Sequence, residues 1–319
     1  IAYDRSTAHN MEARKAALQT YVSQSPPVSD KIQQTMDKLK KVVGKSPEAS
    51  KQLTGIYLRL GAQLQRQIAE LALQGKASHS QELAGVFQNL LTRVTSRGDT
   101  KAWNIRAWIA RMNLQLGEGL SDEAAAPYLK QAQEMYQAML DDARKDPSYA
   151  PRPNDVLALR KQLGDCLRAQ RKFDDALRQY QDILKQKPNR PDLQHSVALM
   201  LQQWGKHDRS IEKLTNSIRG TLPQADNKNL VWGWKQLANR VDRAKHSVAS
   251  RPQLVARYND MFFESWLNIV KSRLYAAQIA RGADKQNYLR SASDNIKSMR
   301  RLYPDLGGAK WKRAFEQIE

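Results

Sequence analysis

Apolar residues recur at steps of three and four along most of the chain, which is the spacing of amphipathic helices. One long stripe comprises Leu53, Ile56, Leu60, Leu64, Ile68 and Leu71. Similar stripes predict helices over residues 4–24 and 29–43, and a long helix that ends near Gly282. No stretch shows the sustained alternation that is typical of strands. The pattern therefore predicts an all-α chain.

Glycine and proline residues divide these stripes into helix pairs. Gly117-Glu118-Gly119 and Trp204-Gly205-Lys206 each lie between two stripes, so each is predicted to form a turn. Pro188 is predicted to end one helix, and Pro191 to begin the next, where its missing N–H does no harm. A short helix with Trp311 and Phe315 is predicted to cap the last apolar face.

The most regular pattern lies between Leu157 and Asn189. Gly164 and Ala176 lack bulk, so two antiparallel helices can approach each other closely where these residues sit. Tyr180 follows Ala176 at the four-residue step that fills the space beside such a hairpin. An offset of 34 residues then relates Leu163 to Val197, which is internal evidence of repetition.

This spacing resembles the tetratricopeptide repeat (TPR), a helix–turn–helix unit of 34 residues, most clearly at residues 157–220. The resemblance implies a right-handed superhelix of stacked antiparallel helix pairs. We expect one elongated helical-repeat domain over residues 1–319. Its parts would be irregular hairpins at 1–98, TPR-like hairpins at 99–220, and a divergent basic helical region with an end cap at 221–319.

The chain is strongly basic, with a formal net charge of +20. Residues 201–319 contribute 22 basic and 11 acidic side chains, so more than half of the excess lies in the last third. Such a bias favours anionic partners, among them acidic proteins, nucleic acid and anionic surfaces. A solvated helical surface with long basic side chains fits the composition as well.

The sequence contains no arrangement of residues that is typical of a catalytic or metal site. The five histidines are scattered, Cys166 has no second cysteine, and no glycine-rich loop follows a strand. Asp141-Asp142 and Asp174-Asp175 are adjacent on predicted helices, where neighbouring side chains point in different directions. We therefore predict no catalytic residue, no cofactor, no metal and no enzymatic activity.

If the resemblance holds, ligands would lie along the surface formed by the first helix of each pair. That surface would present Lys161, Asp165 and Arg168, and then His195 and Gln202. Some members of the family clamp a carboxylate with lysines and asparagines. Lys161 fits the first lysine, but Asp165 stands where an asparagine is expected and would repel a carboxylate.

A second candidate surface lies in the basic last third. Trp232 is offset by about 200° from Trp234 on a helix, so one of the two would face outward or into a neighbouring repeat. Arg300 and Arg301 add charge near the end of a later helix. Basic residues interleaved with aromatic ones are what binding of single-stranded nucleic acid requires.

The expected function is a non-enzymatic scaffold that binds a protein or peptide, including an acidic one, through the groove or the basic face. The alternatives are a nucleic-acid-binding repeat protein, or an auxiliary domain of a larger envelope or enzyme complex. No run of about 18 apolar residues could cross a bilayer. The chain begins at Ile1 without an initiator methionine, so we expect a cytoplasmic protein, or a periplasmic or secreted one whose leader was removed.

Ala176→Leu tests the predicted close contact between the two helices of the most regular pair. The larger side chain should overpack this contact and lower the free energy of unfolding by about 1–3 kcal/mol. Thermal denaturation measures the change, and an unaltered melting temperature would show that the register of this hairpin is wrong.

Overall fold

The structure is a computed structural model that describes residues 2–24, 28–43, 47–95, 102–120, 122–221 and 230–318. The described residues form fourteen α-helices and one 3₁₀ turn, with no β-strand, which confirms the predicted all-α class. The predicted boundary at residues 98 and 99 lies outside the described ranges.

The chain divides into two compact units, Ile1–Gln170 and Arg171–Glu319. Unit 1 contains α1 (Ala2–Ser23), α2 (Ser29–Val43), α3 (Pro47–Leu73), α4 (Ala77–Thr95), α5 (Trp103–Gly119), α6 (Asp122–Lys145), the 3₁₀ turn Pro147–Tyr149 and α7 (Pro153–Ala169). Unit 2 contains α8 (Phe173–Gln186), α9 (Pro191–His207), α10 (Ile211–Arg219), α11 (Gly233–Ser247), α12 (Pro252–Ile279), α13 (Gly282–Leu302) and α14 (Ala309–Glu316). The division falls inside the stretch with the most regular repeat pattern, so α7 belongs to unit 1 and α8 to unit 2.

Unit 1 is built from pairs of helices that are adjacent in sequence. α1 packs against α2, α3 against α4, and α5 against α6, which also contacts α7. The first helices of successive pairs touch as well, since α3 contacts both α1 and α5, and α5 contacts α7. This arrangement is the nearest-neighbour packing of a helical repeat.

The predicted apolar stripes form the core of unit 1. All six residues of the α3 stripe, from Leu53 to Leu71, are buried in one cluster with apolar residues of α1, α2, α4 and α5. The stripe therefore identified both the helix and its buried face.

α12 is the central helix of unit 2. It has 28 residues and contacts α9, α10, α11, α13 and α14. Its apolar residues Phe262, Phe263 and Leu267 lie in a core cluster with Trp234 of α11 and Trp311 of α14. The predicted terminal helix with Trp311 and Phe315 is present, and both side chains are buried.

Two predicted turns are helical instead. α5 continues to Gly119 and α9 to His207, so both glycine-containing segments lie within helices. The glycines provide space between paired helices: a Cβ on Gly117 would lie 2.4 Å from the Leu129 side chain, and one on Gly205 would lie 2.7 Å from the Leu214 backbone nitrogen. The turn after α9 comes later, at Arg209, whose φ is 53°.

Gly117→Ala tests this account of the α5–α6 contact. Its Cβ would overlap Leu129, which is buried, so the free energy of unfolding should fall by about 1–3 kcal/mol. Gly85→Ala in α4 is the matched control, because nothing lies within 4 Å of that position. Removing the flexibility of a helical glycine should raise stability there by about 0.5–1 kcal/mol. Equal effects of the two substitutions in thermal denaturation would contradict the close approach.

Candidate interaction surfaces

The charged residues predicted to line the groove at α7 are paired within unit 1. Lys161 Nζ lies 2.7 Å from Asp165 Oδ2, one helical turn along α7. Arg168 donates a hydrogen bond of 2.7 Å to Glu118 Oε1 on α5. These pairs match two positive charges with two negative ones, so this face of unit 1 already satisfies its own charges.

The face of α9 that was predicted to line the groove is covered by α12. Gln202 is 5% exposed, and its side-chain amide donates hydrogen bonds of 2.8 Å to the Asn268 carbonyl oxygen and to Ser272 Oγ. Both acceptors belong to α12. Gln202 therefore joins two helices inside unit 2.

The contact with α12 continues along both sides of Gln202. His195 Nε2 lies 3.1 Å from Glu264 Oε1, although this contact does not have hydrogen-bond geometry. Farther along α9, the ammonium group of Lys206 lies 4.9 Å from the centre of the Tyr275 ring. The stripe from His195 to Lys206 thus follows α12 in parallel over about three helical turns.

Trp232 and Trp234 are both buried, at 4% and 0% exposure, so neither faces solvent. The helical offset does not apply to them, because α11 begins at Gly233, whose φ is 67°. The Trp232 backbone N–H donates a hydrogen bond of 2.9 Å to Gln194 Oε1. The guanidinium carbon of Arg240 lies 4.2 Å from the centre of the Trp232 ring, so this arginine covers the indole.

The solvent-facing side of α11 is basic. Lys235, Arg240 and Arg243 are exposed. The acidic residue of this helix, Asp242, lies 2.6 Å from Lys245 and is paired with it. Lys235 and Arg243 make no ion pair within the described residues. We call Lys235, Arg240 and Arg243 the α11 basic face.

α13 has a similar side. Arg290, Lys297 and Arg301 are exposed, and their spacings of seven and four residues place them on one face of the helix. Asp294 is exposed on the same face, so the face carries three positive charges and one negative charge. We call the three basic residues the α13 basic face. Arg300 is exposed beside it, and both Arg300 and Arg301 lie in the last turn, where a cation also complements the helix dipole.

The aromatic rings of unit 2 are less exposed than the basic side chains of α11 and α13. Every phenylalanine, tyrosine and tryptophan in the described part of unit 2 is buried or half-buried. Among the described residues, the exposed large apolar side chains are Leu289 and Leu302, both on α13. The two basic faces therefore offer charge without an exposed ring on which a base could stack.

The described residues contain no group of three or more histidine, cysteine, aspartate or glutamate side chains that could hold a metal ion. Cys166 is buried, and its thiol contacts the Leu129 carbonyl oxygen at 3.1 Å. Burial raises the pKa of Tyr136, which keeps its hydroxyl protonated. None of the described helices is long and apolar enough to cross a membrane.

Gln202→Leu tests the contact between α9 and α12. Loss of the amide would leave the buried Ser272 hydroxyl and Asn268 carbonyl without this donor, which should cost about 1–3 kcal/mol of unfolding free energy. Gln278→Leu changes an exposed residue of α12 and should alter stability by less than about 0.5 kcal/mol. Chemical denaturation of both variants measures the difference, and equal stabilities would contradict a buried role for Gln202.

No protein-family model matches the chain, and no curated protein is similar to it in sequence. The helical-repeat architecture therefore stands on the packing of neighbouring helices within each unit.

Proposed function

We propose that this protein is a non-enzymatic helical-repeat scaffold that binds an acidic protein segment on the basic surface of unit 2. The observation that carries the proposal is the pair of basic faces on α11 and α13. They expose Lys235, Arg243, Arg290, Lys297 and Arg301, which make no ion pair within the described residues. Carboxylate side chains of a partner would supply the missing counter-charges.

The hypothesis that a ligand binds in the groove has less support at the two most regular repeats. Lys161 and Arg168 are neutralised by Asp165 and Glu118, so a ligand there would have to displace existing pairs. Gln202 is engaged by α12, and His195 lies beside Glu264. The basic faces need no such rearrangement before they bind.

A protein partner is favoured over single-stranded nucleic acid. Stacking of bases on exposed rings supplies much of the affinity for single strands, and every ring in the described part of unit 2 is buried or half-buried. Carboxylates require only charge and hydrogen-bond donors, which lysine and arginine provide.

We also propose that the helix pairs are divergent tetratricopeptide-like repeats. Support comes from the 34-residue offset between Leu163 and Val197 and from the packing of α9 against α10. The close approach of Gly205 to Leu214 in that pair is the kind of contact that a helix–turn–helix unit needs.

Charge reversal on α11 tests the proposed surface. The double variant Lys235→Glu and Arg243→Glu should weaken binding of a fluorescein-labelled peptide of ten glutamates by about tenfold or more at low salt. Arg59→Glu with Arg66→Glu, two exposed residues seven apart on α3, makes the same change in net charge within unit 1. Fluorescence anisotropy should show near wild-type affinity for this control.

Two results would contradict the proposal. One is equal weakening by both double variants, which would indicate attraction by net charge alone. The other is tight binding of a single-stranded oligonucleotide of equal charge while the glutamate peptide does not bind, which would favour the nucleic-acid alternative.

A further inference from the structure

The side chain of Arg240 is held in place, unlike the other two residues of the α11 basic face. Its guanidinium carbon lies 4.2 Å from the centre of the Trp232 ring, and its Nη1 donates a hydrogen bond of 3.3 Å to Asn189 Oδ1. The side chains of Lys235 and Arg243 make no ring contact and no hydrogen bond within the described residues. One guanidinium of this face is therefore fixed, while the two neighbouring charges are not.

A buried amide orders both of the groups that hold Arg240. Gln194 of α9 is 0% exposed, and its side-chain nitrogen donates a hydrogen bond of 3.1 Å to the Pro188 carbonyl oxygen. Its Oε1 accepts the hydrogen bond from the Trp232 backbone N–H. Because Asn189 follows Pro188 directly, the same amide fixes the backbone at both contacts of the guanidinium.

The carboxylates near Arg240 in sequence or at the neighbouring helix start are already engaged. On α11, Asp242 lies 2.6 Å from Lys245. At the start of α9, Asp192 accepts hydrogen bonds of 3.2 and 2.6 Å from Arg190. Arg240 itself makes no ion pair within the described residues, so its positive charge has no counter-charge there.

The contacts of Arg240 leave most of its hydrogen-bond donors unused. An arginine carries five N–H groups, and this one donates a single side-chain hydrogen bond within the described residues. The indole contacts the flat face of the guanidinium, whereas the N–H groups lie at its edge. Since the residue is exposed, a ligand can reach this edge without displacing an existing ion pair.

We propose that Arg240 is the residue of unit 2 that recognises a carboxylate side chain of the acidic partner, with Trp232 and Asn189 as its positioning residues. A carboxylate can accept two parallel hydrogen bonds from a guanidinium. A guanidinium that is fixed beforehand loses little conformational freedom when it binds. The ligand class rests on the proposed function, because Arg240 would anchor the acidic segment on that surface.

The proposal divides the work of the α11 basic face between two kinds of charge. Lys235 and Arg243 would attract the partner from a distance, which affects mainly the rate of association and its dependence on salt. Arg240 would hold one carboxylate after contact, which affects mainly the rate of dissociation.

Replacement of arginine by lysine tests this division, because it keeps the charge and removes the planar group. Arg240→Lys should weaken binding of the labelled ten-glutamate peptide by about tenfold, the worth of one charge-assisted hydrogen bond, through faster dissociation. Arg243→Lys is the matched control, because Arg243 is exposed three residues along the same helix and has no such contacts. It should bind the peptide as the unchanged protein does. Fluorescence anisotropy measures the affinities, and stopped-flow anisotropy measures the two rates.

A second variant tests the positioning without changing any charge. Asn189→Ala removes the hydrogen-bond acceptor of Nη1, so the peptide should dissociate faster while its association rate stays the same. Asn189 is exposed, so the melting temperature should change little. An unchanged dissociation rate would overturn the role of Asn189.

Stability separates recognition from mere packing of Arg240 on Trp232. If the contact only packs, Arg240→Lys should lower the melting temperature and leave the affinity for the peptide unchanged, which would overturn the proposal. The affinities are compared at a temperature at which circular dichroism shows every variant to be folded.

The outcomes distinguish this anchor from the proposed function. If the double reversal of Lys235 and Arg243 weakens binding but Arg240→Lys and Arg243→Lys have equal affinities, the anchor is wrong and the function stands. Absence of peptide binding at low salt would overturn both. A tenfold loss for Arg240→Lys alone, with faster dissociation, is the result that we expect.

Discussion

The burial of α12 on two chemically different sides is the constraint on which unit 2 depends. One side contributes Phe262, Phe263 and Leu267 to the apolar core shared with α11, α13 and α14. The contact with α9 and α10 adds small polar groups, with Ser272 bonded to both Gln202 and Ser217. Apolar burial supplies the main driving force for packing, while buried hydrogen bonds must be satisfied and so restrict the position of the helix.

This arrangement explains where the protein is available for binding. α12 covers the stripe of α9 that would otherwise face a ligand, while the outer sides of α11 and α13 stay exposed. The last third of the chain carries 22 basic and 11 acidic side chains, and many of the basic ones lie on those outer sides. Long-range attraction of an anionic partner would come from these exposed charges.

Local periodicity was enough to predict the helices and their buried faces, as the stripe from Leu53 to Leu71 shows. The predicted turns at Gly117 and Gly205 were wrong, because both glycines lie within helices and allow close packing of helix pairs. A single sequence does not distinguish these uses, since both require the absence of a side chain. The hydrogen-bond partners of Gln202 are 66 and 70 residues away, and helical spacing does not reveal which helix covers a given face.

Zero-length carbodiimide cross-linking between the ten-glutamate peptide and the protein locates the surface that binds the peptide, because it joins carboxylates to lysine amines in contact. We expect the cross-links to map by mass spectrometry to Lys235 of α11 and Lys297 of α13, both of which are exposed. Lys38 and Lys130 of unit 1 are exposed as well and serve as internal references. Equal cross-linking at all four lysines, or preference for the two in unit 1, would contradict binding of an acidic segment to the basic surface of unit 2.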